Sequence, residues 1–141
     1  MNLYAESSAV LAWLFGDAGG ESVRKALSGA KIVLASHLTL IECSRILIRA
    51  GATGRITEVQ VADREARLRQ VEPHWTLLEI DADIVERARR PFPLEPIRTL
   101  DAVHLATALV ARSAVPGIAL LSLDDRVRRC GRRLGFTLIP A

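Results

Sequence analysis

Every pair of consecutive strand-like runs in this chain is separated by at least one helix-like segment. Residues 2–5, 31–35, 75–80, 118–122 and 136–139 are short, apolar and in part β-branched, and read as strands. Between them lie helical segments at 9–15, 21–27, 36–50, 57–71, 81–90, 100–112 and 124–134. Ser36, Thr57 and Thr99 stand where N-caps are expected. Gly51 stops the third helix, and Pro91, Pro93 and Pro96 make 91–98 an irregular loop. Strands joined through helices need crossover connections, which are right-handed and generate a parallel sheet with helices on both faces. In such sheets ligands sit beyond the carboxyl ends of the strands. The residues just after each strand are therefore the place to look for chemistry.

The chain has 141 residues, the size of one domain spanning 1–141, and needs neither disulfide nor metal to hold a core. Cys43 and Cys130 form no CxxC pair, which excludes a zinc ribbon; they read as reduced core thiols of a cytoplasmic protein. No run reaches the length of a membrane span, and the start lacks the basic region of a secretory signal. The net charge of +3 permits a polyanionic partner without requiring one.

Four carboxylates stand out. Glu6 follows the first strand, and Asp124 follows the fourth by one residue, Leu123. Glu42 is the one acid in the weakly charged helix that begins at Ser36, and Asp101 is the one acid in the nearly all-apolar helix 100–112. Each has an ordinary explanation taken singly. Glu6 could be a turn acid, Asp124 a helix cap, Asp101 a helix-dipole partner, and Glu42 an ion pair with Arg45 or Arg49. Taken together they lie at strand ends or in early helix turns, so they could converge on one rim. Close carboxylates repel and raise one another's pKa values, and a hard dication removes that conflict. Mg²⁺ binds through one or two carboxylates, waters and phosphate oxygens. It lowers the pKa of a bound water and stabilises charge on phosphate, which is what phosphodiester hydrolysis requires.

The order of these pieces resembles the PIN-domain family, and within it the VapC-type toxins. Residues 3–10, with Glu6-Ser7-Ser8-Ala9, resemble its opening motif, and 36–47, with Glu42, the second. Arg98-Thr99-Leu100-Asp101-Ala102 resembles the third, and Leu121-Ser122-Leu123-Asp124, followed by Leu134-Gly135-Phe136, the fourth. The resemblance implies a three-layer α/β/α sandwich around a parallel sheet of four to five strands. It implies an Mg²⁺- or Mn²⁺-dependent endoribonuclease, a homodimer, and inhibition by a cognate antitoxin. By position it assigns the metal to Glu6, Glu42, Asp101 and Asp124, with Ser8 and Ser122 orienting carboxylates or water. The family usually has Asp where this chain has Glu6, a longer arm. That substitution motivates the competing expectation of a PIN-fold binding module with weakened catalysis.

Arg126, Arg128, Arg129, Arg132 and Arg133 flank the fourth acid without sharing one helix face. Arg126, Arg129 and Arg133 are candidates for RNA phosphate contact, against a plain solvated surface. His104 reads as a hydrogen-bonding histidine near the site rather than a ligand. The loop 16–20 matches neither GxxxxGK[ST] nor GxGxxG, which removes nucleotide-binding readings. A phosphoacceptor receiver domain needs a lysine after a late strand, and neither Lys25 nor Lys31 can serve.

Overall fold

The computed structural model describes residues 1–141. Its five strands are β1 (Asn2–Ala5), β2 (Ile32–Ser36), β3 (Thr76–Leu78), β4 (Ala119–Leu121) and β5 (Leu138–Ile139). They form one sheet in the order β3-β2-β1-β4-β5, with every neighbouring pair parallel. Helices α1 (Ser7–Phe15) and α2 (Gly20–Gly29) connect β1 to β2, and α3 (His37–Ala52) and α4 (Glu58–Val71) connect β2 to β3. Helices α5 (Ala82–Ala88) and α6 (Thr99–Ala114) lead to β4, and α7 (Asp125–Arg133) leads to β5.

The two-residue period of the strands sorts side chains between two layers. Leu3, Ala5, Val33, Ala35 and Leu121 pack with Val10 of α1, Val23 of α2, Leu47 of α3 and Leu68 of α4. Tyr4, Leu34, Leu120 and Leu138 face the other way, onto Ile84 of α5, Leu105 of α6 and Val127 of α7. The result is the expected α/β/α sandwich. Cys43 and Cys130 are buried and unpaired in opposite layers.

The strands are shorter than their apolar runs for local reasons. β3 pairs only with β2, and its last partner, Ser36, already caps α3 by accepting the Leu38 N–H. β5 starts at Leu138 because the Phe136 N–H is spent on the Gly131 carbonyl at the end of α7. Thr57 caps α4 as expected, in a full capping box with Gln60. One cap differs by one residue from the sequence reading. Arg98, in extended conformation, is the N-cap of α6, and Thr99 is its first helical residue. Asp124 precedes α7 and caps it by accepting the Val127 N–H at 3.0 Å.

From central β1 the chain steps to β2 and β3 on one side, and β4 and β5 fill the other. The direction reverses between β1 and β4. Beyond their carboxyl ends a crevice opens, as the topology of such sheets requires.

Candidate active site

That crevice is a cavity of about 340 Å³, and Glu6, Glu42, Asp101 and Asp124 all line it. Four separate elements deliver them. Glu6 ends β1 and caps α1, Glu42 sits in the second turn of α3, Asp101 in the first turn of α6, and Asp124 caps α7.

Glu6 is only 4% exposed. Its Oε2 accepts hydrogen bonds from the hydroxyls of Ser122, at 2.8 Å, and Ser8. The Asp124 N–H is accepted by Ser8 Oγ at 3.0 Å and by Ser122 Oγ at 3.2 Å, and Ser8 also takes the Leu123 N–H at 2.9 Å. The pairing of β1 with β4 makes this possible, because it sets the ends of the two strands side by side. Burial pushes the Glu6 carboxyl above its usual range, against the opposing pull of His104 and the two serines.

Glu42 is held differently. Ser7 Oγ donates to its Oε1 at 2.6 Å, and His104 Nε2 lies 2.5 Å from the same oxygen. The other ring nitrogen of His104 bonds the buried Tyr4 hydroxyl at 2.8 Å. Burial raises the Tyr4 phenol, so its proton stays on at any ordinary pH. Nε2 is the His104 ring nitrogen placed to donate to Glu42, while Nδ1 is engaged by Tyr4. Partial burial pulls Glu42 upward, but the bonds from His104 and Ser7 outweigh it and hold the carboxyl below its ordinary value. The pairing with Arg45 or Arg49 that the sequence offers does not form; both arginines are exposed.

Asp101 and Asp124 share one partner. Arg98 donates through Nε to Asp101 Oδ2 at 2.7 Å and through Nη2 to Asp124 Oδ2 at 2.8 Å. Sequence reasoning assigned no role to Arg98 or Ser7. The signal for Arg98 was present in its i,i+3 spacing from Asp101 on one helix. Ser7 carries no such signal, because its partner lies 35 residues away.

The flanking arginines are not brought to the acids. Arg126 and Arg129 line a separate hollow with Leu94 and Pro96, and Arg129 pairs with Asp125 at 3.0 Å. Arg133 is exposed at the end of α7. Arg128 is structural: it donates to the Ser122 carbonyl at 2.9 Å and the Pro140 carbonyl at 2.7 Å.

No three acidic, histidine or cysteine side chains converge as a ready-made metal cage. The donor set nevertheless suits a hard dication that keeps much of its water. Four carboxylates line one cavity, and Glu42 Oε2 and Asp101 Oδ1 accept no hydrogen bond from the chain.

The profile of the PIN domain family matches residues 3–132. The chain belongs to that family. It is 31% identical to ribonuclease VapC46 of Mycobacterium tuberculosis over 137 residues, covering 97% of this chain and 95% of the relative. Ribonuclease VapC35 of the same species is 30% identical over 106 residues, covering 75% and 70%. Among solved structures, the sarcin-ricin-loop-cleaving toxin VapC20 of M. tuberculosis superposes with a TM-score of 0.64 at 16% identity, covering 92% of this chain and 95% of that one. A toxin–antitoxin complex from Klebsiella pneumoniae gives a TM-score of 0.57 at 21% identity, covering 86% of each chain.

Proposed function

We propose that this chain is a divalent-metal-dependent endoribonuclease and the toxin of a toxin–antitoxin pair. The observation that carries the reading is the meeting of Glu6, Glu42, Asp101 and Asp124 in one cavity at the β1–β4 switch point. The names of the relatives, ribonucleases VapC46 and VapC35, support RNA as the substrate. The complex among the structural neighbours is in keeping with an antitoxin partner.

In this reading Glu42, Asp101, Asp124 and Glu6 hold Mg²⁺ or Mn²⁺, directly or through water. Such an ion lowers the pKa of water at the site and offsets charge that builds on the phosphoryl oxygens. The chain's part is to fix its carboxylates before RNA arrives. Ser8 and Ser122 anchor Glu6 by one oxygen. Ser7 and His104 anchor Glu42 by Oε1 and leave Oε2 free for the cavity. The protein works in the cytoplasm as a homodimer, and the antitoxin blocks the acidic cavity.

The test is cleavage of a circular RNA, which only an endonuclease can open. With Mg²⁺ the wild-type chain linearises it, and Asp101→Asn is slower by about 100-fold or more. An intact circle with wild-type protein and Mg²⁺ would favour the binding-module reading instead.

A further inference from the structure

Asp101 is the most constrained of the two acids that share Arg98, with a side chain only 10% exposed. A carboxylate so placed needs a countercharge. Among the residues lining the cavity, Arg98 is the one cation. Its position follows from the backbone. It caps α6, three residues before Asp101, so its stem rises from the rim of the cavity. Asp124 spends Oδ1 on capping α7, which directs Oδ2 to the same guanidinium. One planar group thus bridges two carboxylates from different helices, where a dication would otherwise balance them. Arg98 cannot give way by losing its proton, because guanidinium does not deprotonate in proteins. It can give way by moving. Its side chain is 57% exposed, so water competes for the guanidinium and weakens its pairs.

We propose that Arg98 is a resident counter-cation of this site: it latches Asp101 to Asp124 in the metal-free chain and competes with the dication for them. When the ion binds, Arg98 swings off the carboxylates at the mouth of the cavity. Its fork is then free for a phosphate oxygen of the RNA, a geometry that guanidinium matches in two-pronged fashion. Arg98 therefore sets the metal concentration at which the site fills. This inference rests on the metal-dependent reading above.

The test is Mn²⁺ binding, followed by the electron paramagnetic resonance signal of free Mn²⁺, in full-length wild type and Arg98→Gln. Two ion pairs made by a solvent-exposed guanidinium correspond to roughly 3- to 10-fold in affinity, so Arg98→Gln is expected to bind Mn²⁺ tighter by that factor. Its melting temperature without metal falls, and added Mn²⁺ raises it by more than in wild type. In wild type, Mn²⁺'s diamagnetic substitute Mg²⁺ shifts the Arg98 Nε–H resonance. Cleavage by Arg98→Gln shows a raised KM, because the phosphate contact is lost. Equal or weaker Mn²⁺ binding by Arg98→Gln would overturn the inference while leaving the nuclease reading in place. Absence of Mn²⁺ binding in both proteins would overturn the metal-dependent reading, and this inference with it.

Discussion

Glu6 and Glu42 are two carboxylates in one cavity with opposite shifts, and each shift makes a prediction. Glu6 is raised by burial. The unfolded chain ionises this group at its ordinary pKa, whereas the folded chain resists ionising it. Its contribution to stability is thus present at low pH and is lost as pH rises from the unfolded value through the raised folded one. Glu6→Gln keeps an oxygen for Ser8 and Ser122 and removes the buried charge. It should melt higher than wild type at neutral pH, with the difference vanishing once pH falls below the ordinary glutamate range, while metal-dependent cleavage is lost. Thermal melts across pH check this, and a variant less stable at neutral pH would contradict it. Glu42 is held low by His104 and Ser7 despite its partial burial. Ser7→Ala removes one donor at 2.6 Å and should cost about 1 kcal/mol, with a several-fold fall in cleavage. The loss should grow for His104→Ala, which also strands the buried Tyr4 hydroxyl, as chemical denaturation would show.

Elements rather than residues decide how close the layers can come. Helices α1 and α2 pack so tightly that a Cβ on Gly20 would stand 2.4 Å from the Ala12 carbonyl oxygen, a backbone atom that cannot step aside. Gly20→Ala should therefore destabilise the fold by about 1–3 kcal/mol, read as a lower midpoint in urea. Most elements were legible because local chemistry specifies them. Thr57 and Gln60 make the capping box that starts α4, and apolar runs mark β1, β2 and β4. The misplaced boundaries are set by backbone pairing and turn hydrogen bonds that the side-chain pattern does not show. β3 stops where β2 runs out of residues to pair, and β5 starts late because Phe136 is tied to α7. Arg98 became a cap where Thr99 looked better suited.

At the scale of the whole molecule, the sheet order turns scattered acids into one site. The sequence showed Glu6 and Asp124 at strand ends, and parallel topology sends those ends to the same rim. It did not show that Ser7 and His104 would both turn on Glu42, because that contact depends on how α3 and α6 approach across the end of the sheet. Nor did it show that the basic run of α7 would lie apart from the acids. Arg126 and Arg129 border a hollow beside Pro96. If RNA leaves the cavity over that hollow, Arg126→Ala with Arg129→Ala should weaken RNA binding uniformly across sequences and flatten its salt dependence by about two counterions. Filter binding at several salt concentrations measures both effects, and an unchanged slope would place the RNA elsewhere. No helix is long and apolar enough to cross a membrane.

The proposed function requires acids from four elements to hold a dication in one cavity. A crystal soaked in Mn²⁺ and measured at the manganese absorption edge tests it most directly. An anomalous peak is expected in the cavity, about 2 Å from at least one oxygen of Glu42, Asp101 or Asp124, with Arg98 turned away from the last two. A cavity that stays free of manganese at millimolar concentration, with Arg98 still bridging its two carboxylates, would contradict it.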